Sequence, residues 1–272
     1  MKRLWLVLSG AAYFGGFCAV SLAGCGPVEA TSSDELEQVA GAVSSNDFDV
    51  DFSGCREFAG IGSVPKVNAR PLVPERFALA PAGDPNSAVI VVRVSDCSGA
   101  AVDGHKAKAA RVSQIGISLT GAGTDPSANI NNYTLWYATD LGLLHAKLTG
   151  AGVDADVDQG IAFQLSPNSC TTGNLKVGAS PPHGPAFTAC GTTTASTGSP
   201  GPFAATWWQD TTAGTVAMST TFPAIRFGAS QMTLTTPAGS ALANLIGGTT
   251  LTFPFLDSYN TFATAHMTVR QQ

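Results

Sequence analysis

Few residues in this chain could do chemistry. Across 272 residues there are 14 Lys+Arg, 19 Asp+Glu, four histidines and six cysteines. They form no Gly-x-Ser-x-Gly, no His-Glu-x-x-His, no Cys-x-x-Cys and no glycine-rich phosphate loop ahead of a helix. Neither the histidines nor the cysteines have zinc-ligand spacing, so no metal or cofactor is expected. Arg226, in Phe-Pro-Ala-Ile-Arg-Phe-Gly, is a cation in an apolar setting. If buried it needs an anion, from the protein or from a ligand. His266 lies in the apolar run Phe262–Val269, and strict alternation puts it on one face with Phe262 and Thr264. It reads as a packed structural histidine or as a pocket acid/base. Trp207 and Trp208 must point to opposite faces of a strand. With Trp136, Tyr133 and Tyr259 they would line a sugar or apolar ligand, or simply pack a core. Asp47-x-Asp49-x-Asp51 and Asp154-x-Asp156-x-Asp158 hint at calcium. The loop glycine and the bidentate glutamate are missing from both, so both read as solvated acids.

The elements that must position these groups are mostly strands. Alternating or continuous apolar runs mark Ala88–Val94, Val112–Leu119, Tyr133–Ala138, Phe203–Gln209, Val216–Phe222, Met232–Thr236, Thr249–Phe253 and Phe262–Val269. Ala88–Val94 opens on an unbroken apolar, β-branched run and reads as buried on both faces. Helix signals are sparse: Thr139 capping a helix through about Leu148, Ser240 capping Ala241–Ile246 before Gly247-Gly248, and a third helix over Lys66–Leu72. Residues 168–202 read as long loops around one short strand, Ala186–Cys190. The expected architecture is mainly β (α+β), a single β-rich domain over 52–272 with two or three short helices. Only 12% of residues are charged and the formal net charge is −5. That balance excludes a basic nucleic-acid binder and a long helical bundle.

The first residues are organised for export. Lys2 and Arg3 precede 21 uncharged residues, Leu4–Gly24, and then comes Leu22-Ala23-Gly24-Cys25. This resembles the lipobox of bacterial lipoproteins. The resemblance implies removal of residues 1–24 and acylation of Cys25, making the lipid bilayer a partner through the acyl chains. Gly26 in place of Asp favours the outer membrane of the cell envelope, facing the periplasm or the cell surface. Residues 25–51 then form a lipidated tether, with seven acids and no base over 26–51 and a short helix possible from Ser33 to Val43. Cys18 leaves with the leader. The remaining four cysteines suggest two disulfides, with three connectivities open. Cys55–Cys97 and Cys170–Cys190 are preferred, because each pair sits near a neighbouring apolar stretch and the second closes a short loop.

Three stretches together resemble the acetoacetate decarboxylase-like family. They are Arg56-Glu57-Phe58 followed by Val73-Pro74-Glu75-Arg76-Phe77, then Ala88–Val94, then Tyr133–Asp140 with the helix leading to Ala151-Gly152-Val153. The resemblance implies a closed antiparallel β-barrel around a mostly apolar pocket. It also implies a catalytic lysine that forms a Schiff base with a β-keto acid. The corresponding stretch here, Ala151–Asp158, has three carboxylates and no lysine, and Val112–Leu119 offers Gln114 where a catalytic carboxylate is expected. Arg56 falls where the family has an arginine for the substrate carboxylate. Arg56 and Arg226, with Trp136, Trp207 and His266 as neighbours, are therefore the candidate ligand-binding residues. Three functions follow as expectations. The first is a membrane-anchored, non-catalytic barrel that binds a small apolar acid. The second is a family enzyme with a non-Schiff-base mechanism. The third is a structural lipoprotein with no small ligand. The first two need a cavity of roughly 300 Å³ or more; the third predicts an interior filled by side chains.

Overall fold

β-Branched and aromatic runs punctuated by Gly, Pro, Asn and Asp favour strands over helices. The computed structural model describes residues 47–121, 123–171 and 173–272. In chain order the elements are β1 (Phe48–Pro65), α1 (Lys66–Ala69) running into a 3-10 turn (Arg70–Leu72), β2 (Ala78–Leu79), β3 (Ser87–Val102), β4 (Lys108–Thr120), β5 (Ile130–Thr139) and α2 (Gly142–Gly150). They continue with β6 (Ala155–Val157), β7 (Ala162–Cys170), β8 (Gly173–Ala179), β9 (Phe187–Thr194), β10 (Gly201–Thr211), β11 (Gly214–Phe227), β12 (Ala229–Thr235), α3 (Ala241–Ile246), β13 (Thr250–Thr252) and β14 (Leu256–Gln271). The leader, Cys25 and the Ser33–Val43 helix lie outside the described residues.

Seven strands close on themselves in the order β4-β3-β1-β14-β11-β10-β5, with β5 pairing back to β4. The barrel is mixed, because β10 runs parallel to β5 while the other barrel pairs are antiparallel. Its first and last strands lie side by side, from Phe48↔Val269 to Ile61↔Leu256. A second, antiparallel sheet, β13-β12-β9-β8-β7, packs on the outside. Phe58, Ile90, Val92 and Ile117 of the barrel meet Leu175, Val177, Phe187 and Leu234 there in one core. A separate core fills the lumen. Its members Leu144 and Leu148 come from α2, which plugs the end of the barrel where β1 begins, beside Val50, Val102, Val216 and Val269. β3 is buried on both faces, with Ile90 and Val92 outside and Val91 toward the lumen.

A seam crosses the barrel midway. Burial alternates along β1 until Ser53 and Gly54, both exposed, and then resumes in the opposite phase at Cys55. The same double step occurs at Pro223-Ala224 in β11 and Ala263-Thr264 in β14. β3 carries an extra residue between Cys97 and Ala100. Such irregularities bend a sheet tightly enough to close it. Gly54 takes φ +58° at the seam, and a Cβ there would strike the Ser98 hydroxyl. Cys55–Cys97 joins β1 to β3 beside it, and Cys170–Cys190 staples β7 to β9, the expected pairings.

Ser240 caps α3 as expected, accepting from the Ala243 amide, and Gly247 ends that helix in the left-handed region. Four sequence expectations change. The barrel is mixed where an antiparallel one was expected, and Leu141, with no side-chain cap, stands at the N-cap of α2 in place of Thr139. β1 starts inside the stretch read as tether, and Asp47, Asp49 and Asp51 are not simply solvated. Asp47 Oδ1 accepts from the Gln271 amide at 2.9 Å, Asp49 pairs with Arg270 at 2.5 Å, and Asp51 pairs with His266 at 2.7 Å. Residues 168–202 hold all of β8 as well as β9, where one short strand was expected.

Candidate functional site

The seam decides which residues look into the barrel. Between it and the open end, odd-numbered positions of β1 and β3 face inward and bring Glu57, Ala59 and Ile61 opposite Val91 and Arg93. Asn260 of β14 completes a polar floor. Arg93 Nη2 lies 3.0 Å from Glu57 Oε2, with both side chains largely buried, and Asn260 Nδ2 donates to Glu57 Oε1 at 3.3 Å. Above the floor the wall is aromatic and aliphatic. Phe262, Phe222, Phe203 and Phe227 form a ladder of rings, with centroids 4.9, 6.0 and 5.4 Å apart, that leads from the interior to a solvent-exposed rim at Phe227. Trp207 fills the opposite side. Gly116 makes room for it, since a Cβ there would lie 2.8 Å from the indole.

These groups surround a cavity of about 40 Å³. That is well short of a drug-sized pocket and equals about three waters at roughly 10–15 Å³ each. Three polar atoms on its lining residues are buried without a partner, Arg93 Nε, Trp207 Nε1 and Asn260 Oδ1, whereas Glu57 Oε2 has the Arg93 guanidinium beside it. An unmet buried polar group costs about 1–3 kcal/mol, so the polar floor is held at some expense to stability. Deeper in, Tyr137 is pushed up to about 12 by burial, against the opposing influence of Arg93, and stays a neutral phenol. Gln114 Nε2 donates to Thr134 Oγ1 at 3.2 Å. Among the described residues no lysine lines the cavity. Lys147 is buried at the plugged end and bonded to Asp103 at 2.5 Å.

The structure does not bring the expected ligand residues together. Arg56 has the opposite parity to Glu57 and points outward, pairing with Asp96 at 2.5 Å and lying 5.2 Å over the Phe163 ring. Arg226 is outside too, donating to the Gly198 carbonyl at 2.6 Å while its neighbours Ile225 and Phe227 face in. Trp136 packs in the outer core with Tyr133, Trp208 and Tyr259, so no shared aromatic wall exists, and of the named residues Trp207 alone reaches the lumen. His266 is an outer-face residue, 45% exposed and bonded to Asp51. In the second acidic run, Asp156 binds His183 at 2.7 Å, and Asp158 holds the amides of Gly160 and Ser180 at 2.7 and 2.6 Å. These acids bind loops. No group of metal-ligating side chains occurs among the described residues.

No protein-family model matches this sequence, and no curated protein matches it. Solved structures do share its fold. The enduracididine biosynthesis enzyme MppR complexed with pyruvate superposes with a TM-score of 0.53 at 11% identity, covering 82% of this chain and 88% of that one. An acetoacetate decarboxylase-like enzyme from Sphingomonas wittichii RW1 gives 0.53 at 10% identity, covering 84% and 92%. An acetoacetate decarboxylase gives 0.52 at 11%, covering 82% and 88%. The closed seven-strand mixed barrel with three short helices is thus an acetoacetate decarboxylase-like fold. At these identities the likeness is one of fold.

Proposed function

We propose that this protein is an exported lipoprotein, held to the outer membrane through acyl chains on Cys25, whose barrel binds a small apolar carboxylate-type molecule without transforming it. One observation carries the binding: Arg93 places a guanidinium at the floor of a lumen whose wall and rim are apolar. The ligand head sits against Arg93 and its apolar remainder lies along Phe222, Phe203 and Phe227. The cavity's lack of a lysine supports a role without Schiff-base chemistry, which needs a desolvated amine. A small carboxylate is also what MppR holds in one solved complex.

The test is calorimetric titration of the full chain in detergent with short aliphatic and aromatic carboxylates. Binding that Arg93→Met abolishes is the expected result. A folded wild type that binds none of them rejects the reading. Labelling with radioactive palmitate checks the anchor: incorporation should vanish in Cys25→Ala, and labelling that persists sinks the lipoprotein assignment. A second reading, a structural lipoprotein with no ligand, is favoured by the cavity, about 40 Å³ against the roughly 300 Å³ that a ligand-holding barrel needs, so the first reading requires the Phe203–Phe227 rim to open on binding.

A further inference from the structure

The two disulfides stand in different surroundings. Cys55 and Cys97 are each 3% exposed and belong to the core that fills the lumen. Cys170 and Cys190 line an open groove of about 460 Å³, together with Lys176 and Thr188. Phe187 and Ala189 of β9 are buried against the barrel, so by alternation Thr188 and Cys190 face outward. A groove of this volume has room for a small molecule. Lys176 is the register partner of Cys190 across β8 and β9. Directly opposed residues of an antiparallel pair share a face, with Cβ atoms about 4.5–5.5 Å apart. The lysine therefore stands beside the disulfide. Its partner on the other side is Gln164 of β7, and among the described residues no carboxylate pairs with Lys176 or lines the groove. A nearby unneutralised cation favours thiolates, both as attacking and as leaving groups. The β7–β8 pairing also slips out of register between Leu165 and Cys170, so the bridge across β8 to β9 is what ties that end of the hairpin down.

We propose that Cys170–Cys190 is a thiol-exchange site, opened by small thiols, while Cys55–Cys97 is a permanent structural bond. A small thiolate enters the groove and attacks Sγ of Cys190, the half-buried member of the pair. A sulfur–sulfur bond forms to Cys190 as the bond to Cys170 breaks, and Cys170 leaves as a thiolate that takes a proton from water. A second thiolate attacks the sulfur of the bound small thiol, forms the small-molecule disulfide and releases Cys190 as a thiolate beside Lys176. Two small thiols are oxidised and one protein disulfide is reduced. The exchange frees the β7–β8 hairpin from β9 and leaves the barrel, with its own bridge, closed. It does not depend on what the lumen holds.

The experiment is timed exposure of the folded full chain in detergent to 2-mercaptoethanesulfonate, an anionic thiol, and to cysteamine, a cationic one. Iodoacetamide quenches each sample, and peptide mass spectrometry locates the alkylated cysteines. Cys170 and Cys190 should be labelled at least about tenfold faster than Cys55 and Cys97, since exchange follows access and local charge. Near-ultraviolet dichroism should stay native meanwhile. Compared per thiolate present, the anionic thiol should react faster than the cationic one. Lys176→Gln should slow labelling severalfold and erase that preference, whereas Lys176→Arg, which keeps the charge, should behave as wild type. Labelling of all four cysteines together, or of Cys55 and Cys97 first, overturns the exchange site. A Lys176→Gln protein with unchanged rate and unchanged thiol preference overturns the lysine-assisted step.

Discussion

Arg93 and Glu57 are worth more as a pair than either is alone. Removing one partner of a buried pair leaves an uncompensated charge and costs about 3–5 kcal/mol, whereas replacing both with apolar residues of similar volume is near neutral. Arg93→Met should therefore lower the urea midpoint sharply, and Arg93→Met/Glu57→Leu should recover most of it. A double variant as unstable as the single one would contradict the isolated pair. Tyr137 gives a second prediction at this scale. Its folded pKa, about 12, lies above the unfolded value near 10, so its contribution is complete below pH 10 and is lost as pH rises toward 12. The loss is of order 2–3 kcal/mol, and Tyr137→Phe should flatten the alkaline arm of a stability–pH curve. Burial raises Tyr133 and Tyr259 as well, so some slope should remain. The polar floor was partly legible in the sequence. Arg93 interrupts the β-branched run Ala88–Val94 at the parity of Val91, which marks an inward-facing charge. The family resemblance points instead to Arg56, one residue away from Glu57. In a strand a single residue exchanges inside for outside, and the family resemblance located the strand without its phase.

At the level of elements, α2 depends on a contact with a turn. Asp103 sits at φ +49° in the Val102–His105 turn that joins β3 to β4, and its carboxylate takes both Lys147 of α2 and the Asp49 amide. Burial works to raise this carboxyl, but those two donors outweigh it and hold it below the usual carboxylate range. The sign follows: the contribution is present above the unfolded value near 3.9 and is lost as pH falls through the lower folded value. Asp103→Asn, which tolerates the left-handed turn, should cost about 1–3 kcal/mol near pH 7. The gap from wild type should close toward pH 3, and a gap independent of pH would show that the charge is not what matters. Among the described residues the strands and helices named from sequence are all present, most of them longer than expected. Pattern located their apolar centres; pairing with neighbours set their ends. β1 is the instructive case. Phe48-Asp-Val-Asp-Phe52 alternates cleanly, yet its acids made it look like the end of a solvated tether. Their partners, Arg270, His266 and the Gln271 amide, lie more than 200 residues away in sequence. No local window can supply them. The seam was invisible for the same reason, because it is a property of adjacent strands sharing one break in phase.

For the whole molecule, mainly antiparallel pairing and low charge fit a closed barrel. The parallel contact of β5 with β10 arises because the entire outer sheet, except β12 and β13, is inserted between those two strands. Sequence alone offered a mainly β fold with two or three short helices, and this holds over the described residues. Closure by β1 and β14 has a kinetic consequence. The ring cannot shut until its last strand is available to its first, so the search for native pairing spans nearly the whole domain. Chains dominated by such distant pairings fold slowly. Joining residue 272 to residue 47 with a short linker, and opening the chain in the exposed 195–200 loop, would turn that closure into a local hairpin. The permuted protein should refold faster in stopped-flow mixing, while an unchanged rate would place the slow step elsewhere. In the natural order, a growing chain holds β1 without its final neighbour until synthesis is nearly complete, and during that interval one edge of the first strand is open to pairing with other chains.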